Sequence, residues 1–278
     1  MEKNIDILNA NLIANFSAGL EYFDKIIVEL YDQNENKATH DSTFEISCIA
    51  LEFCSFLFWV NILISSITKY QSKQIIDFYS SKLIDFYEKY AANLRDKYSL
   101  TVIPATVAFD YRSQDYGTIY QGDYVPCGFY LLNDYKRYPD PFPDGLMRCS
   151  IAYGDFSVYY IKNQKRASFK DIDPIIVLDI FDMPFYTRIF EQTGNIILTF
   201  CNHTFKILGE YKSVIDSVNN NDLTKPISVT YAPPKSKYKS NQETDESDDW
   251  TISKAILYGG AVIVILTILT LFFTNALT

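Results

Sequence analysis

The chain is poor in the residues that most often carry chemistry. It has only two His and five Cys in 278 residues. Cys48, Cys54, Cys127, Cys149 and Cys201 are odd in number and form no C-x-x-C pair. That spacing argues against a structural zinc site or a disulfide framework, and fits a reducing compartment. Ten Gly are too few for a phosphate-cradling loop, and none is present. There is no G-x-S-x-G, while His40 lies in a polar break and His203 in Asn202-His-Thr204, so a nucleophilic triad is not expected. Basic residues are in deficit as well. Lys and Arg total 25 against 34 Asp and Glu, a net charge of −9, which is not the footprint of a nucleic-acid binder. The first residues contain no apolar run of secretory type and do not begin Met-Gly, so neither export nor myristoylation is expected.

What the chain does have is apolar mass. Hydrophobic residues make up 48% and charged residues 21%, enough for a real core and too apolar for global disorder. Aromatics reach 16%, with 22 Tyr and 20 Phe, and are expected to serve core and interface packing. Ala255 to Phe273 contains no charge. Nineteen residues at 1.5 Å each span roughly 29 Å, about one hydrocarbon core. Five uncharged residues follow. A linker precedes it, with Pro233-Pro234, then Lys235, Lys237 and Lys239, then acidic residues from Glu243 to Asp249. The layout is tail-anchored. With Lys254 and the linker lysines on the N-terminal side, the positive-inside rule places the soluble domain in the cytoplasm. On that reading the sequons at Asn15 and Asn202 are chance. The expected division is 1–41 N-terminal helix and polar break, 42–231 main domain, 232–250 disordered linker and 251–274 transmembrane anchor.

Helical spacing of Leu12, Phe16, Leu20, Phe23, Ile27 and Leu30 predicts an amphipathic helix over 4–33. Ile75, Ile76, Tyr79, Leu83, Phe86, Tyr90 and Leu94 predict a second over 72–97. Between them, Ile46 to Ile67 is apolar enough for a membrane span, but it contains Glu52 and Asn61. Its β-branched and aromatic residues favour a buried central strand over 53–64. Strands are expected at 100–111, 118–132, 174–180 and 227–231. A rigid Pro-rich loop is expected at 138–145, and a hairpin over 146–162 turning at Gly154-Asp155. A short helix at 184–192 and a strand then a helix over 195–208 complete an α+β class.

Four blocks in order resemble class III nucleotide cyclase domains. They are Leu57-Phe-Trp-Val-Asn-Ile-Leu63, Val102-Ile-Pro-Ala-Thr-Val-Ala-Phe109, Met147-Arg-Cys-Ser-Ile-Ala-Tyr-Gly154, and Leu178-Asp-Ile-Phe-Asp182 running into Arg188 and Thr193-Gly194. The resemblance implies a ferredoxin-like βαββαβ core and a head-to-tail dimer with sites between subunits. It puts Asp179 in the base-reading position and Arg188 in the phosphate-stabilising position. It also implies two metal-binding Asp, but Asn61 and Ala105 stand in their places. An amide and a methyl cannot hold the two divalent cations that cyclisation needs.

Three readings of function stay open. The first is a membrane-tethered pseudoenzyme without metal or other cofactor, acting through a homodimer, a cyclase-like partner or a bound nucleotide. The second is an active cyclase using Mg or Mn, with Asp110 as the replacement ligand. The third is an unrelated membrane-anchored structural or interaction protein. In all three, residues 255–273 engage the lipid bilayer.

Overall fold

The computed structural model describes residues 2–122, 141–172, 177 and 183–221. These residues form helices and no strand. The α-helices are α1 (Glu2–Asp32), α2 (Ser42–Thr68), α3 (Lys73–Tyr98), α4 (Ala105–Gln121), α5 (Pro141–Asn163), α6 (Met183–Glu210) and α7 (Lys212–Asn221). Short 3-10 turns occupy Lys37–Thr39 and Phe169–Asp171. Contacts divide the chain into two units, Met1–Ile215 and Asp216–Thr278, and only the end of α7 is described in the second.

The centre of the first unit is α2. It touches α1, α3, α4, α5 and α6. Asp41 starts it by accepting the Phe44 N–H at 3.2 Å, an N-cap. Lys69, in the left-handed region at φ 55°, stops it. It is 27 residues long and is the one described helix long and apolar enough to cross a membrane. The bundle instead buries 78% of its most apolar stretch. Its polar side chains bond back along the helix, Ser47 to Thr43 O, Ser55 to Leu51 O, Asn61 to Leu57 O and Thr68 to Ile64 O. Each hydroxyl or amide donates to the carbonyl four residues earlier, so it needs no other partner.

Amphipathic helices wrap this centre. The six apolar residues that mark 4–33 are all buried along α1. In α3, Ile75, Tyr79, Leu83, Tyr90 and Leu94 are buried, while Ile76 is exposed. α1 and α3 run parallel, as Asn9 bonds Gln74 near one end and Asp24 meets Lys89 near the other. Stacked rings join the layers. Phe16 lies 4.1 Å from Tyr79, Phe23 3.8 Å from Phe53 and Phe56 4.8 Å from Tyr116, measured between centroids. Much of the aromatic content among the described residues therefore lies in the core, with Tyr22 and Tyr111 exposed, and each such pair adds about 0.5–1.5 kcal/mol beyond its buried area.

The α+β class and the ferredoxin-like βαββαβ core are incorrect. Residues 53–64 are helical because the run from Asp41 to Lys69 has no internal turn signal and far exceeds a strand's length. Residues 100–104 are a link, and 105–111 open α4. Of the Pro-rich stretch, 138–140 lie outside the described residues and 141–145 open α5. Pro141 and Pro143 sit in its first turn, where backbone N–H groups have no intrahelical partner and proline costs little. The hairpin expected at 146–162 is the body of the same helix. Gly154 is no turn residue. It lets the Phe190 ring of α6 lie against α5, within 2.9 Å of where a Cβ would stand. The strand and helices expected over 184–208 are one helix, α6. The strand expected at 227–231, the linker and the segment 255–273 lie outside the described residues, as does most of 174–180.

α5 also approaches α4 closely. A Cβ on Gly145 would meet the Tyr120 ring at 2.5 Å and the Tyr120 carbonyl at 3.0 Å. Gly117, inside α4, has nothing within 4 Å of its missing Cβ. Gly145→Ala is therefore expected to destabilise the fold by about 1–3 kcal/mol, the cost of overpacking. Gly117→Ala is expected to stabilise it by about 0.5–1 kcal/mol through helix propensity. Urea unfolding of the two variants gives the two signs.

Candidate functional site: a buried carboxylate–arginine network

Of the residues singled out through the cyclase resemblance, the described ones lie on three different helices. Asn61 lies on α2 and spends its amide on Leu57 O at 2.7 Å. Ala105 is the buried first residue of α4. Asp110, the alternative ligand, is exposed on α4. Arg188 is exposed on α6 and donates to Gln33 Oε1 at 3.4 Å. Asp179 lies outside the described residues. Arg148, in the third block, closes the end of α4 by donating to Ile119 O and Tyr120 O, and pairs with Asp144. Among the described residues no group of three or more His, Cys, Asp or Glu could hold a metal ion.

The charged chemistry of the bundle lies elsewhere. Glu52, halfway along α2, is fully buried. Its carboxylate takes a two-pronged bond from Arg112 of α4, with Nε to Oε2 at 2.8 Å and Nη2 to Oε1 at 2.9 Å. Arg166, in the stretch after α5, adds Nε to Oε1 at 2.6 Å. Arg166 Nη2 also donates to Ser55 Oγ at 2.9 Å. Arg112 Nη1 turns the other way, to Asp115 Oδ2 and Ala167 O, both at 2.7 Å. Ser168 completes the cluster by donating to Asp115 Oδ1 at 2.8 Å. The Arg112 guanidinium lies 3.5 Å from the Phe156 ring centroid. Two carboxylates face two guanidinium groups, so the cluster is neutral.

Burial alone would raise the Glu52 carboxyl, but Arg112 and Arg166 together hold it down at about 2. Glu52 in turn raises both guanidinium groups against their own burial. Asp115 goes the opposite way. Its burial outweighs Arg112 and Ser168, and its carboxyl is raised above the usual value. The network can therefore clamp three pieces of chain to one another. It offers neither a free base nor a hydrated cation.

A second carboxylate cluster pins a corner of the bundle. Glu45, in the first turn of α2, accepts Tyr31 at 2.7 Å from the end of α1 and Tyr186 at 2.8 Å from α6. His40 Nδ1 lies 3.0 Å from the same oxygen. Burial, and then the Glu45 charge, raises the Tyr31 phenol well above its usual value. A cavity of about 320 Å³ opens beside this cluster, lined by Thr39, His40, Glu45, Val158, Ile161, Lys162 and Tyr186. The four described cysteines, Cys48, Cys54, Cys149 and Cys201, are free and buried. Desolvation pushes each thiol up, the state of an inert rather than a nucleophilic cysteine.

No family model matches the chain, and neither the curated proteins nor the solved structures compared with it yield a match. Together with the helical fold, this overturns the resemblance to nucleotide cyclases. The fold and its buried network define an all-α bundle built around one apolar, charge-clamped helix.

Sequence reasoning noticed Glu52 only as an objection to a membrane span. The signal was there, because a carboxylate inside an apolar run must find a cation. Nothing in the spacing of Arg112 and Arg166 says that they supply it.

Glu52→Gln is expected to cost about 3–5 kcal/mol at pH 7, since it breaks a buried pair from one side. The Glu52 charge stabilises the fold fully above its unfolded value near 4.5, and that contribution is lost as pH falls toward 2. Wild type should thus lose about 1.4 kcal/mol per pH unit from this group across that window, and the variant should not. Asp115→Asn is expected to be milder, because Asp115 contributes with the opposite sign. Denaturant unfolding at a series of pH values checks both. Glu52→Met, Arg112→Leu, Asp115→Asn and Arg166→Met made together should cost less than Glu52→Gln alone, because no charge is stranded.

Proposed function

We propose that this chain is a membrane-tethered helical scaffold whose bundle binds a protein partner or a second copy of itself and does not turn over a substrate. The observation that carries the reading is how the two long apolar runs differ. One, α2, lies in the bundle core and holds a carboxylate clamped by two arginines. The other, 255–273, has no charge at all and follows a polar linker. A segment of that length and composition suits a bilayer. The lysines at 235, 237, 239 and 254 favour a cytoplasmic bundle. Support for a binding role comes from the surface, where Ile7, Tyr22 and Val28 of α1 and Ile76 of α3 are exposed.

A second reading has α2 itself as the membrane-crossing helix, and its length and apolarity favour that. Against it stands Glu52, whose two partners belong to other elements. Cell fractionation separates the two. The full chain is expected to resist alkaline carbonate washing of membranes, and a chain ending at Trp250 is expected in the soluble fraction. A truncated chain that stays with membranes would favour α2 as the span. A full chain released by carbonate would overturn the tether.

A further inference from the structure

We draw no further inference here: the strongest candidate, the cavity of about 320 Å³ where the Lys37–Thr39 turn, α2, α5 and α6 meet, has the Glu45 carboxylate already bonded to His40, Tyr31 and Tyr186, and nothing in the structure shows what covers its apolar wall of Val158 and Ile161.

Discussion

Everything in the bundle turns on one carboxylate in an apolar helix. Glu52 sits where α2 is packed on every side. An ion there forfeits hydration worth several kcal/mol, and only opposite charge with good geometry offsets it. The offset comes from Arg112, a long way along the chain, and from Arg166, further still. Each arginine fixes the element that carries it. Arg112 sets how α4 lies on α2. Arg166, with Ala167 O and Ser168, fastens the chain leaving α5 to both helices. The clamp adds little net stability beyond what apolar residues would supply. What it does is penalise every arrangement in which a charge is left alone.

Around the clamp, packing follows simple amphipathic logic. α1 and α3 each bury one stripe and leave the rest to water. α5 is different, because two glycines remove Cβ atoms where Tyr120 and Phe190 press against it. Close approach there sets the spacing of α4, α5 and α6. The Glu45 cluster does for the corner what Glu52 does for the middle, drawing α1, the 3-10 turn and α6 onto the start of α2.

What could be read from sequence follows from this packing. α1 and α3 are legible because each is buried on one side, and one-sided burial writes a 3.6-residue period. α2 is buried all round from Ser47 to Leu57, so its apolar residues there show no period, and β-branched and aromatic content then points to a strand. α5 misleads through composition. Its first-turn prolines look like a loop, and Gly154-Asp155 looks like a hairpin turn, although the glycine answers to Phe190 and not to a bend. α6 is interrupted in sequence by Thr193-Gly194, yet Thr193 Oγ1 donates to Ile189 O and the helix continues. The misplaced strands supported the cyclase resemblance, which drew attention to Asn61, Ala105 and Arg188. The pairing of Glu52 with Arg112 and Arg166 is long-range, and local patterns carry no record of it.

The central claim is that α2 is the core helix of a bundle that folds in water. Its most direct test is circular dichroism of residues 1–221 purified without detergent, with thiol labelling of Cys48 and Cys54 on the same sample. The account predicts a monodisperse, strongly helical protein whose two thiols resist labelling until denaturant unfolds it. A strand-rich spectrum, aggregation relieved only by detergent, or rapid labelling of those thiols under native conditions would contradict it.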